Sequence, residues 1–247
     1  MKANYHTHSK WCKHGGGEIE DYIEEAIRND FTELAITEHV PHIDRFGWIT
    51  QEEFPLFDAA LNECVSKYKD RIHVIKGFEC EYIDNPTVID LYKRYKEEYG
   101  YELLIMGQHS AGENGKHNIF EPIDSEVVKL YCEDSIKGLE SGLFKYYAHP
   151  DLCLVNYEPG WDKTCEKGMR EVFKCCEELK IPVEFNANGL RYKKAYPSKE
   201  CFLMSKEFDL KYMIGADAHD PKFLYDDAVK EAERLLKEWG ITVSEYL

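Results

Sequence analysis

The chain has 247 residues, with 47 Asp and Glu against 31 Lys and Arg, a formal charge of −16 before its ten histidines are counted. That excess of acid argues against a broad electrostatic grip on nucleic acid or on an anionic membrane, since both need a basic surface. An apolar fraction of 43% with 13% aromatic residues excludes a disordered chain, and charges interrupt every apolar run short of membrane-spanning length.

In chain order, short apolar and β-branched runs predict strands at residues 3–8, 33–39, 72–80, 102–108, 145–149, 181–186 and 211–216. Helical spacing fills the intervals. Ile19, Tyr22, Ile23, Ala26 and Ile27 recur at threes and fours after the first strand, as Val229, Ala232, Leu235 and Leu236 do after the last. Asp30, Gly100 and Gly240 stand where helical runs should close. Residues 41–50 and 111–123 are polar, contain Gly or Pro, and read as loops on the functional face. Seven strand-then-helix units without a repeat or linker predict one α/β domain, residues 1–247, with a parallel sheet. A closed barrel normally takes eight such units, so seven predicts either a distorted barrel or an open sheet, and periodicity does not choose.

Residues 1–9 hold no apolar stretch of signal-peptide length, which predicts a cytoplasmic protein. The nine cysteines are odd in number and show no Cys-x-x-Cys spacing, so they read as reduced, mostly buried thiols. Cys12, between His8 and His14, reads first as a small packing residue.

The strand ends carry the chemistry. His6 and His8 close the first strand, His39 the second, Glu79 the third, His109 the fourth, His149 the fifth, and Asp217 with His219 the seventh. Parallel α/β architectures build their sites at these C-terminal ends. In a strand, residues i and i+2 share a face, so His6 with His8, and Asp217 with His219, each aim two ligands at one point. His14, in the glycine-rich loop after the first strand, reaches back from above. Imidazole with carboxylate suits zinc, iron or manganese, and this set exceeds what one tetrahedral ion uses, so two or three ions are expected. His42 is a further candidate for catalysis or substrate contact, whereas His73 opens its strand and reads as structural, and His117 reads as solvated.

The ordered segments His6-Thr7-His8, Thr37-Glu38-His39, Gly77-Phe78-Glu79, His109, Ala148-His149-Pro150-Asp151 and Gly215-Ala216-Asp217-Ala218-His219 resemble the motifs of the polymerase and histidinol phosphatase superfamily. The resemblance implies a distorted (β/α)7 TIM-like barrel and a trinuclear site of three divalent transition-metal ions, Zn, Fe or Mn. One ion would take His6, His8, Glu79 and Asp217, a second would share Glu79 and add His109 and His149, and a third would take His14, His39 and His219. No ligand position is lost. Three such ions against two carboxylates leave a local charge of about +4, enough to attract a phosphate monoester on an acidic protein.

The implied reaction is metal-assisted hydrolysis, in which water acidified by two ions as a bridging hydroxide attacks phosphorus. Asp217 would orient it or receive its proton, and His42 is a candidate for protonating the leaving alkoxide. Arg191, after the strand end without a ligand, is the expected phosphate clamp because guanidinium matches phosphate bidentately. No arginine follows His149 in Pro150-Asp151-Leu152-Cys153-Leu154, where some histidinol phosphatases have a second phosphate contact. Length, the early His14, Glu79-Cys80-Glu81-Tyr82 and Asn188-Gly189-Leu190-Arg191 resemble the stand-alone histidinol phosphatases, implying hydrolysis of L-histidinol phosphate late in histidine biosynthesis. Glu81, Glu113 or Asp84 would then receive the substrate's ammonium. The competing readings are a phosphatase of nucleotides, sugar phosphates or phosphotyrosine, a metal-dependent exonuclease, and a non-catalytic metal-stabilised binding module. The acidic balance and the absence of a basic stripe count against the nuclease. The sequence is silent on oligomeric state.

Overall fold

The seven apolar runs lie side by side in the order in which they occur in the chain, and every pairing among them is parallel. The computed structural model describes residues 1–41 and 48–247, so the candidate His42 falls outside the described residues. The elements are β1 (Ala3–Asn4), α1 (Ile19–Arg28), β2 (Glu33–His39), α2 (Phe54–Tyr68), β3 (His73–Cys80), α3 (Pro86–Tyr99) and β4 (Leu103–Met106). A hairpin follows, β5 (Ser110–Ala111) and β6 (His117–Asn118), then α4 (Ser125–Glu140), β7 (Tyr146–Tyr147) and α5 (Lys163–Leu179). The chain continues with β8 (Val183–Asn186), α6 (Ala187–Arg191), α7 (Lys199–Ser205), β9 (Tyr212–Gly215) and α8 (Asp227–Glu238).

The sheet order is β1-β2-β3-β4-β7-β8-β9, and a parallel bridge from Thr7 to Ala218 links its two edges. The sheet therefore curls into a nearly closed seven-stranded barrel flanked by helices, which resolves the choice that a count of seven left open. Among the described residues no helix is long and apolar enough to cross a membrane.

Side-chain alternation carries the barrel interior directly into the site. Ala35, Ile105 and Met213 belong to a small inner cluster, with Ile75 packed against it. Steps of two along β2 and β3 end at His39 and Glu79, so the parity that packs the interior also turns these two inward, while His109 and Asp217 lie just past the ends of β4 and β9. Register keeps them level, with His39 opposite Glu79 across β2 and β3. The larger cluster, including Ile36, Phe78, Leu104, Phe185 and Ile214, fills the space between sheet and helices.

Asn85, Asp124, Asp162, Ser198 and Asp226 cap helices by accepting first-turn N–H groups, each worth about 1 kcal/mol. Asp30, Gly100 and Gly240 turn left-handed at φ 57, 71 and 68, closing helical runs as expected. All nine cysteines are unpaired and, apart from Cys64, buried. The segment 111–123 differs from expectation in forming a hairpin, Ser110 opposite Asn118 and Ala111 opposite His117. Two-residue strands are too short to show a period.

Arg191 requires a correction. It was expected to clamp phosphate, yet its side chain is only 7% exposed, and its donors are engaged within the protein. Nε and Nη2 meet Asp226 at 2.7 and 3.1 Å, Nη1 meets Asn188 Oδ1 at 3.0 Å and the Ala216 carbonyl at 3.2 Å, and Nη2 also reaches the Phe223 carbonyl at 3.0 Å. The fork that suits phosphate suits a carboxylate equally, and here it ties α6 to the capping residue of α8. Arg191→Ala is expected to lower the denaturation midpoint by the equivalent of about 3 kcal/mol, since Asp226 is left partly buried without its partner. A raised KM at unchanged stability would restore the phosphate clamp.

Candidate metal centre

Glu79 sits at the middle of the barrel mouth with its two oxygens facing different neighbours. Oε1 lies 2.8 Å from His149 Nε2 and 3.4 Å from His109 Nε2. Oε2 lies 2.9 Å from His39 Nδ1, 3.3 Å from His8 Nε2 and 3.5 Å from His6 Nε2. Asp217 Oδ1 faces His6 and His8 at 3.6 Å and His219 at 3.4 Å. His219 Nε2 stands 3.1 Å from His14 Nε2. All nine ligand types expected from the strand ends and the glycine-rich loop therefore meet in one contact network.

Backbone placement makes this possible. Gly107 lies beside Glu79, and a Cβ there would occupy the space of its carboxyl group; Gly215 leaves the same room for Glu184. His149 and Asp217 take φ of 30 and 44, uncommon for residues with a Cβ and typical of functional turns.

A second layer of carboxylates was not anticipated by the sequence reading. Glu184 on β8, fully buried, meets His6 Nδ1 at 2.9 Å and accepts from Asn186 Nδ2 at 2.5 Å. Glu38 accepts from the Ser9 backbone and hydroxyl at 2.6 and 2.5 Å, with its other oxygen 3.9 Å from His8 Nδ1. Asn186 and Asn188 donate to Asp217 Oδ2, each at 3.2 Å. Thus the one strand end without a ligand orients ligands from two other strands. A buried Glu two positions before Asn186 in an otherwise apolar run was the available signal. Orienting imidazole through its second nitrogen is the usual arrangement at metal sites.

Charge and burial set the protonation. Burial opposes ionisation of Glu79, but His109, His6 and His39 and the His149 hydrogen bond outweigh it and hold the carboxyl well below its usual range. Burial is likewise overcome at Asp217 by His6, His219 and His8. Burial, with the neighbouring His39 and His219 charges, pushes His8 well below its ordinary value, and burial brings His39 down to about 4. Burial also lowers His6, yet Glu184, Asp217 and Glu79 prevail and raise it well above the ordinary value.

The residues fit divalent ions on two observations. His6 Nε2, both ring nitrogens of His8 and His149 Nδ1 are buried without a hydrogen-bond partner, although buried polar atoms are rarely left so. Among the described residues, ligand atoms within 4.8 Å of one another occur in His6-His8-Glu79, Glu79-His109-His149, His8-His39-His219 and Cys12-His14-His219. Donors of this kind suit zinc, iron or manganese.

The centre opens into a cavity of about 910 Å³ whose walls include Trp48, Asn114, Asn118, Phe120, Asn188, Tyr192, Lys194 and Tyr196. The 111–123 segment thus lies on the functional face, as expected. Glu81 does not line the cavity. It is buried behind His109, with Oε1 3.5 Å from Nδ1 and Oε2 accepting from Ser110 Oγ at 2.5 Å, so the expected contact with a substrate ammonium is replaced by a contact with a candidate ligand. Glu113 is exposed beside Asn114 at the rim. His73 is remote as expected, facing Glu33 at 3.5 Å.

Because each Glu79 oxygen faces a separate imidazole group, Glu79→Gln is expected to remove about two bound ions together, with fold retained by circular dichroism. Metal content falling by one ion, or not at all, would contradict a shared carboxylate.

The PHP domain family matches residues 4–188, and Asp217 and His219, just after β9, lie beyond that span. The Histidinol-phosphatase of Bacillus subtilis is 32% identical over an alignment covering 89% of this chain and 94% of that protein. The Schizosaccharomyces pombe protein named "Probable histidinol-phosphatase" is 26% identical, covering 90% and 81% respectively. The crystal structure of histidinol phosphate phosphatase from Lactococcus lactis, complexed with zinc, L-histidinol and phosphate, superposes with a TM-score of 0.77 at 17% identity, over 98% of this chain and 95% of that one. By sequence match and by fold, this chain belongs to the PHP domain family.

Proposed function

We propose that this chain is a metal-dependent histidinol-phosphatase that hydrolyses L-histidinol phosphate to L-histidinol and phosphate. The observation that carries the phosphatase reading is the buried carboxylate of Glu79, each oxygen directed at a different group of imidazoles. The substrate rests on the Bacillus subtilis relative, whose named activity is matched across nearly its whole length.

In this reading His6, His8, Glu79 and Asp217 hold one divalent ion, Glu79, His109 and His149 a second, and His14, His39 and His219 a third. Bound there, zinc, iron or manganese supplies Lewis acidity toward water and toward the phosphoryl oxygens. Asp217 has Oδ2 fixed by Asn186 and Asn188, which holds Oδ1 toward the centre, where it orients the attacking water. Glu184 holds the proton of His6 on Nδ1, which keeps Nε2 directed at the centre. Lys194, in the cavity wall, adds positive charge toward a phosphate, while Phe120 and Trp48 offer ring faces to the substrate's imidazole. Glu113 at the rim takes its ammonium group. The whole chain, residues 1–247, acts as one unit, because both ends of the sheet contribute ligands.

A nuclease would want a basic, aromatic-lined track, and Lys194 is the only lysine or arginine among the described lining residues. A chain carrying every expected ligand also gives no support to a non-catalytic module.

Substrate choice is tested by kcat/KM for L-histidinol phosphate beside a panel of nucleotide, sugar and aryl phosphates. L-Histidinol phosphate is expected to exceed the others by at least about 100-fold, the scale set by a few specific polar contacts. Parity with a generic aryl phosphate would overturn the substrate while leaving the phosphatase.

A further inference from the structure

Resting on the metal reading above, we propose that Cys12 supplies a thiolate to the ion position framed by His14 and His219, giving that ion a mixed nitrogen and sulfur ligand set. Three observations carry the assignment. The ligand atoms of Cys12, His14 and His219 lie within 4.8 Å of one another. The two Nε2 atoms face each other at 3.1 Å, near the separation of about 3.4 Å expected for two nitrogens each about 2.1 Å from one tetrahedral ion. His8, whose ring nitrogens are buried and unpartnered, belongs to the adjoining group that shares His219.

The local chain is built around the sulfur. Cys12 ends a short 3-10 turn, and Lys13 follows at φ 64, sending the glycine loop back over the thiol. Burial, with the Glu38 carboxylate, pushes the Cys12 thiol up to about 12, against the backbone N–H groups of His14 and Gly15 that point at Sγ, so the ion itself must displace the proton. A side chain at Gly15 would meet Sγ at 2.9 Å and the Ser9 carbonyl at 2.8 Å, so this glycine is what allows the loop to pass so close. Gly16 N–H then donates to the His219 carbonyl at 2.8 Å, fixing the loop to the opposite ligand.

Coordination breaks the S–H bond and forms a sulfur–metal bond, the proton leaving to solvent past the exposed His14. No oxidant or reductant takes part. Sulfur makes this position favour zinc, cobalt or ferrous iron over manganese.

The test uses the full chain stripped of metal and reloaded with cobalt(II). Wild-type protein is expected to develop a sulfur-to-cobalt charge-transfer band in the near ultraviolet. Cys12→Ser and Cys12→Ala should lose it, and Cys64→Ser should keep it. X-ray absorption of the zinc-loaded wild type, which needs no variant, should show a sulfur neighbour at about 2.3 Å. Full cobalt uptake without the band, or a band that persists in both Cys12 variants, would overturn the thiolate ligand and leave the phosphatase reading intact. Failure to take up cobalt would overturn the metal reading and this assignment together.

Discussion

The constraint on which the barrel mouth depends is the burial of the Glu79 carboxylate at its centre. A carboxylate taken out of water costs several kcal/mol unless opposite charge and hydrogen bonds offset it. Glu79 is 1% exposed and is surrounded by His6, His8, His39, His109 and His149. Those imidazoles come from the ends of four strands, and none of them alone would justify the burial. In the proposed holoenzyme the divalent ions do so, which accounts for the several ring nitrogens that the protein leaves without partners.

The same constraint propagates outward. Nitrogens aimed at the centre must present lone pairs there, so their opposite sides need fixed acceptors. Glu184 occupies that place behind His6 at 2.9 Å, while the carboxylates of Glu38 and Glu81 stand farther off, 3.9 Å behind His8 and 3.5 Å behind His109. Room for these carboxyl groups comes from glycine, at 107 beside Glu79 and at 215 beside Glu184. The inner layer of the barrel is therefore set by the needs of the mouth as much as by packing.

Much of this was legible in the sequence because the relevant rules are local. The run-then-helix order tells which strand ends gather, which brings His6 with His8 and Asp217 with His219 to one mouth; β1 and β9 end at Asn4 and Gly215 and Asp217 turns to φ 44, so strand alternation is not what aims them. What was not legible depends on contacts between distant segments. Nothing local distinguishes Arg191 facing phosphate from Arg191 facing Asp226, 35 residues away. Glu81 was read as a substrate contact because an acidic residue near a ligand looks the same whether it lines a cavity or supports an imidazole from behind. The role of Glu184 is hidden in the sequence because its strand ends without a ligand and its partner His6 lies 178 positions earlier. Global charge was a blunt guide, since the −16 sums surface acids together with buried ones such as Glu79, Glu184 and Asp217.

The central claim is that this arrangement exists to hold several ions around one carboxylate. Elemental analysis of protein purified without chelator measures it most directly. About two to three transition-metal ions per chain is the expected result, lost on treatment with a chelator together with phosphatase activity. Fewer than about one ion per chain, with activity intact, would contradict it.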